Sequence, residues 1–178
     1  MVIPVCTPKM SVHIHAQREL AFQVLTAFGA GPQNGSQSKV LETDGEKLLV
    51  EFHTPGKDFL GRRHVYRTVE WVTPHEPDRI DFEGVEGPLS LLCDRFDLTD
   101  EGGCTRLTYE SEFGLKGWFF GWLVSRFYVQ RTLRKMMHEH LEEMKETIEA
   151  RAERSRAFPQ RPCSPMNAQG ELDHVTYH

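Results

Sequence analysis

Residues 117–146, GWFFGWLVSRFYVQRTLRKMMHEHLEEMKE, set an aromatic run beside several arginines and end on the triplet His138-Glu139-His140. Two histidines of one helix hold a metal ion when they lie four apart on one face, as in HExxH. At two apart they project about 160° from each other on a wheel of ~100° per residue. No metal is expected from this pair, and no other cofactor. The same wheel centres an apolar stripe on Phe119, Trp122, Val129, Leu133, Met137, Met144 and Ile148, and places Arg126, Gln130 and His140 inside it. His140 reads either as a hydrogen-bonded core histidine or as a proton-transfer group. His138 falls on the opposite face.

Other chemistries lack their residues. The serines have no GxSxG setting, and no glycine-rich loop follows a strand and opens a helix. The four cysteines, Cys6, Cys93, Cys104 and Cys163, show no CxxC spacing. On the two strands of one hairpin Cys93 and Cys104 are about six residues out of register, roughly 20 Å at ~3.3 Å per residue, which excludes a disulfide between them. Reduced, structural thiols are the expectation.

The elements that must position the remaining candidates are legible as periodicities. Residues 11–16 (SVHIHA) alternate as a strand, and Leu20, Ala21, Val24, Leu25 and Phe28 recur at helical spacing. A breaker-rich connection, GAGPQNGSQS at 29–38, follows. SKVLET and EKLLVEFH flank Asp44-Gly45, a hairpin signal. RRHVYRTVEWV and RIDFEGVE flank TPHEPD, and LSLLCDRFDL and CTRLTYESEF flank TDEGG, so an antiparallel meander is predicted. From Trp118 to about Ala152 the period is helical.

Register selects the inward side chains. Centring the last turn on Glu101-Gly102 pairs Leu98 with Thr105, Phe96 with Leu107, Asp94 with Tyr109 and Leu92 with Ser111, and this apolar face should point inward. Asp94 and Tyr109 then form either a hydrogen-bonded pair or an acid/base and ligand-orienting group. On the preceding hairpin, Val65, Val69 and Trp71 group with Ile80 and Phe82. That face also carries Arg67 opposite Gly84, in need of an anion such as Asp94, Glu86 or a ligand carboxylate.

The chain has 178 residues, a formal charge of -5 and 26% charged residues. It gives no basic footprint for nucleic acid. The N-terminus has no signal-peptide pattern, so a cytoplasmic setting is the default. The apolar run WFFGWLV is far short of the ~20 residues of a spanning helix. The predicted organisation is an N-terminal extension (1–10), one α+β domain (11–152) and a flexible tail (153–178).

Strand, helix, meander and long C-terminal helix together resemble the helix-grip superfamily, which includes START lipid-binding domains and polyketide cyclase/dehydrase-like proteins. The carriers are SVHIHAQRELAFQVL, EGPLSLLCDRFDLTDEGGCTRLTYESEFGL and RFYVQRTLRKMMHEHLEEMKETIE. The resemblance implies a curved antiparallel sheet of about six strands wrapped around the helix, with a cavity for a small hydrophobic ligand. Ligand-binding candidates are Arg67, Trp71, Phe82, Leu92, Phe96, Leu107, Ser111, Trp122, Arg126, Gln130, Leu133 and Met137. If the chain is a cyclase or dehydratase, Asp94, Tyr109 and His140 are the catalytic candidates. A third reading is a peripheral membrane lipid carrier whose lip is Trp118, Phe119 and Phe120 with Arg126. A monomer or a homodimer fits each.

Overall fold

A computed structural model describes residues 2–30, 37–57, 62–160 and 162–163. Residues 31–36 of the breaker-rich connection, and Arg161 and 164–178 of the expected tail, lie outside the described residues, as does the Trp118 side chain. The elements are β1 (Val5–Cys6), β2 (Met10–Ile14), α1 (Arg18–Leu25), β3 (Gln37–Asp44), β4 (Lys47–Lys57), β5 (Arg63–His75), β6 (Arg79–Glu86), β7 (Leu91–Asp100) and β8 (Thr105–Gly114). A helical run then continues through α2 (Trp118–Val124), a π turn (Ser125–Val129) and α3 (Gln130–Arg154). The fold is the α+β helix grip, and its eight strands exceed the six expected. They lie in the order β1-β8-β7-β6-β5-β4-β3, with β2 pairing the same strand, β8, as β1. The seven segments read as strands correspond to β2–β8, and the strand that no pattern signalled is β1, two residues held beside Glu112 and Phe113 and too short to show a period.

The last hairpin closes on a longer turn than the sequence suggested. Asp100 pairs with Thr105, and Gly102 and Gly103 take φ of 72° and 102°, where a side chain would be strained. Every pairing therefore shifts by two: Phe96 faces Tyr109, Asp94 faces Ser111 and Leu92 faces Phe113. An even slip leaves each side chain on its face, so the inward set survives.

On β5 the parity is reversed. Val50 and Phe52 of β4 face Glu70 and Thr68, and Tyr66, Thr68, Glu70 and Val72 form the inner row. Arg67 and Trp71 stand on the outer row. Both rows carry apolar residues, so alternation alone could not choose, and a bulge between Val69 and Glu70 also breaks the register with β6. Glu70, not Arg67, faces Gly84. Arg67 finds its anions in Glu51 and, at 2.7 Å, Glu86.

The core lies where β2, β7 and β8 meet the two helices. Ile14, Ala21, Leu107 and Tyr109 are fully buried with Leu141, Ile148 and Ala152 of α3. Burying side chains of this size contributes ~1.5–3 kcal/mol each, which suffices to dock the C-terminal half of the helical run. The chain beyond α3 folds back. Phe158 packs on the core, Gln17 Nε2 donates to Pro159 O at 2.8 Å, and Cys163 is disulfide-bonded to Cys104, 59 residues away. Only Cys6 and Cys93 are free thiols, which corrects the expectation for the other two. Their pairing depends on a return of the chain that no local spacing encodes.

Gly121 fixes the start of the helical run. A Cβ there would lie 2.6 Å from Leu115 O and 2.7 Å from Lys116 O, both backbone atoms that cannot swing away. Alanine gains ~1 kcal/mol over glycine in an open helix, but overpacking costs ~1–3 kcal/mol or more. Gly121→Ala is expected to lower unfolding stability by about 1–2 kcal/mol in urea titration; a stabilised variant would contradict this packing.

Candidate functional site

Between the inner face of the sheet and the helical run lies a cavity of about 1660 Å³, lined from the helix side by residues between Phe127 and Ile148. Ordinary small-molecule sites occupy ~300–1,000 Å³, so this volume admits a long or multi-ring molecule. Phe28, three residues past the end of α1, starts a continuous aromatic wall. Ring centroids run from Phe28 to Phe52 at 5.8 Å, Phe52 to Phe82 at 6.2 Å, Phe82 to Phe96 at 5.6 Å and Phe96 to Tyr109 at 5.2 Å. These separations lie within the favourable range for aromatic pairs. Leu133, Met137 and Met144 supply the opposing helix side.

The wall ends in a small polar group. Tyr109 Oη donates to Asp94 Oδ1 at 3.0 Å. The two are diagonal neighbours on the inner face, close enough for a long phenol to reach. Burial pushes the Asp94 carboxyl above its ordinary range, and the hydroxyls of Ser111 and Tyr109 pull the other way. Burial followed by the Asp94 charge raises the Tyr109 phenol, which stays a donor. Glu70 is also buried, and desolvation raises it to about 7, aided by the Asp94 charge and opposed by a 2.7 Å bond from Thr68 Oγ1. On the helix side burial lowers His140, against the pull of Glu143, whose Oε2 lies 3.6 Å from its Nδ1. A carboxyl near neutrality, a phenol and an imidazole biased to its neutral form share one apolar chamber. Such a set can hold the polar end of a ligand or exchange a proton with it.

Of the sequence candidates, Asp94, Tyr109 and His140 all line the cavity, with Phe82, Leu92, Phe96, Leu133 and Met137. Leu107 and Ser111 are buried beneath it without joining its wall. Arg67 and Trp71 lie on the outer row for the reason given above.

Trp122, Arg126 and Gln130 do not line the cavity either. Gln130 N–H donates to Ser125 O across the π turn, which adds one residue to that turn and rotates everything before it by ~100° relative to a regular wheel. Arg126 instead bonds Gln130, whose Nε2 donates to Cys6 O at 2.9 Å and ties β1 to the helix. Phe127, Tyr128 and Val129 take the cavity positions. Phe127, 67% exposed, and Tyr128, half exposed, line the cavity and put aromatic rings at its border, while Phe119 and Phe120 are exposed on the preceding turns. Glu70 is the functional candidate that sequence reasoning missed; a central strand carrying a lone glutamate between valines, TVEWV, was its only signal.

The family described as polyketide cyclase / dehydrase and lipid transport matches residues 6–149. The fold is similar to that of TTHA0849 from Thermus thermophilus, at 18% identity and TM-score 0.67, covering 83% of this chain and 99% of that one. It is similar to the Zhui aromatase/cyclase of Streptomyces sp. R1128, at 14% identity and TM-score 0.68, covering 85% and 96%. It is also similar to a START superfamily protein from Mycobacterium smegmatis, at 19% identity and TM-score 0.56, covering 84% and 99%. At these identities the likeness shows the fold. No curated protein matches.

Glu70 makes stability depend on pH with a definite sign. Unfolded it ionises at its ordinary 4.5; folded it holds its proton to about 7. Between these values the folded chain keeps a proton that the unfolded chain has lost, so stability falls as pH rises and levels off above 7. At ~1.4 kcal/mol per pH unit the interval corresponds to roughly 3 kcal/mol. Glu70→Gln keeps the Thr68 bond without the charge. Urea unfolding is expected to show the variant more stable than the parent at pH 8, the gain vanishing near pH 4; parallel profiles would contradict the burial of this carboxyl.

Proposed function

The chain belongs to the polyketide cyclase/dehydrase and lipid-transport family, and we propose that it binds one hydrophobic or amphipathic small molecule of lipid, polyketide or isoprenoid character in the cavity under its C-terminal helix. The observation that carries this reading is the combination of large volume with a continuous aromatic wall ending in a single buried polar group. An apolar body stacks along Phe28, Phe52, Phe82 and Phe96. A hydroxyl, ketone or carboxylic end meets Asp94, Tyr109 and Glu70, where it satisfies groups that burial otherwise leaves costly. The exposed rings of Phe127 and Tyr128, which also line the cavity, give an apolar molecule an apolar entry to it.

The test is native mass spectrometry of the purified protein, followed by titration with a fluorescent fatty acid. A bound small molecule or saturable one-to-one binding is expected. Leu133→Trp, which fills the chamber from the helix side, should weaken binding about tenfold or more, equivalent to ~1.4 kcal/mol. Equal binding by parent and variant would place the molecule elsewhere.

A second reading is favoured by the chemistry of the polar group. A cyclase or dehydratase acting on a β-ketone chain needs a base for the proton next to a carbonyl and a donor for the enolate oxygen. Ionised Asp94 or Glu70 would take that proton, and the Tyr109 hydroxyl would donate to the enolate. The aromatic wall would hold the chain bent, so that its reacting carbons meet. With a short poly-β-ketone thioester as probe, Asp94→Asn and Tyr109→Phe should lower turnover at least about 100-fold, the scale of general acid–base catalysis, while leaving fatty-acid binding within a few-fold. Turnover unchanged in both variants would leave the binding reading alone.

A further inference from the structure

Outside the cavity, four metal-ligating side chains from three remote parts of the chain meet at one point. The first two are set by strand geometry. Val12 and Ile14 of β2 turn into the core, so His13 and His15 share the opposite face, their rings edge to face at 4.9 Å. β2 pairs β8 with Ile14 opposite Thr105, and continuing that ladder by one residue brings His15 across from Cys104. The fourth member, Cys163, arrives with the chain that folds back after α3, where Gln160 Nε2 donates to His15 O at 3.3 Å.

We propose that His13, His15, Cys104 and Cys163 form a Cys2His2 site for a zinc ion, available when the two cysteines are reduced. Their ligand atoms all lie within 4.8 Å of one another. A tetrahedral zinc ion with Zn–S of ~2.3 Å and Zn–N of ~2.0–2.1 Å needs ligand atoms roughly 3.3–3.8 Å apart. His15 Nδ1 lies 3.1 Å from Cys163 Sγ and 3.8 Å from Cys104 Sγ, and His13 Nε2 lies 3.5 Å from Cys163 Sγ. The nitrogen–sulfur separations already approximate a coordination shell; once reduction breaks the S–S bond, the two sulfurs must part from bonding distance to about 3.8 Å to complete it.

The surroundings independently favour a metal. Glu101 Oε2 bonds His13 Nδ1 at 2.8 Å, and Arg106 holds the other oxygen of the same carboxylate. This fixes the ring with Nε2 directed at the cysteines, the carboxylate–histidine–metal arrangement that orients zinc ligands. A cleft of about 580 Å³ bordered by His15, Glu149, Glu153 and Cys163 gives a cation an acidic approach. Glu149 is anchored there by accepting the His15 backbone N–H at 2.9 Å.

The disulfide and the metal are alternatives at one place. In the disulfide neither sulfur has a thiolate to offer. A dithiol reductant supplies two electrons and two protons, closes to its own disulfide and leaves two thiols; zinc then binds both sulfurs and displaces the two protons. Either state fastens the segment after α3 to the open ends of β2 and β8.

The test uses the full chain, stripped with a chelator and reduced under argon by a phosphine, which becomes the phosphine oxide by taking oxygen from water. Zinc per chain is read by elemental mass spectrometry, and cobalt(II) by its tetrahedral ligand-field and thiolate charge-transfer bands. One equivalent in the reduced chain and none in the oxidised chain are expected. Cys163→Ser, which removes one sulfur ligand, should lose charge-transfer intensity. Glu101→Gln, which keeps all four ligands, should bind about 10- to 100-fold more weakly, circular dichroism verifying that each variant is folded. A reduced chain that takes up no stoichiometric metal, a cobalt spectrum without thiolate bands, or a Cys163→Ser variant that binds like the parent would each overturn the site.

Discussion

The interaction on which this structure depends is the one-sided anchoring of its long helix. Met137, Leu141, Ile148 and Ala152 are the buried residues of α3, which packs against β2 and α1, and this contact holds the helical run to the domain's core. The preceding turns carry exposed rings, and Phe127 and Tyr128 among them border the cavity. Interiors elsewhere close to crystal-like density. A chamber of about 1660 Å³ under a docked helix is therefore a feature that the anchoring permits and that a few larger side chains would erase.

The chamber in turn governs the electrostatics. Asp94 and Tyr109 lie on the adjacent strands β7 and β8 and Glu70 two strands from Asp94 on β5, all facing the same volume, and each is displaced from its ordinary ionisation chiefly by desolvation. The Tyr109–Asp94 bond and the Thr68–Glu70 bond offset only part of that cost. Polar groups retained at such expense on an otherwise apolar wall are where a ligand's polar atoms would find partners. The same burial that makes them costly makes a hydrogen bond to them strong.

Much of this was legible in the sequence. The order of elements, the long helix and the inward placement of Asp94 and Tyr109 follow from periodicity, and a wrong turn length cost nothing because the slip was even. Two features defeated the reading. β5 has apolar residues on both rows, so only its pairing with β4 decides that Glu70 faces in and Arg67 faces out. The π turn at Ser125–Val129 breaks the regular wheel, which moved Trp122, Arg126 and Gln130 off the cavity and brought Phe127 and Tyr128 onto it. The meeting of His13, His15, Cys104 and Cys163 had no spacing signature, because it depends on strand register and on a returning segment at once. The histidine pair that stood out, His138 and His140, contributes one member to the cavity and one to the surface.

The most direct measurement of the central claim is a crystal structure of the protein carrying the hydrophobic molecule with which it purifies. Continuous density is expected along Phe28, Phe52, Phe82 and Phe96, ending in a polar atom within hydrogen-bond distance of Asp94, Tyr109 or Glu70. A helix collapsed onto the sheet, with Phe127, Leu133 and Met144 filling the space, would contradict it.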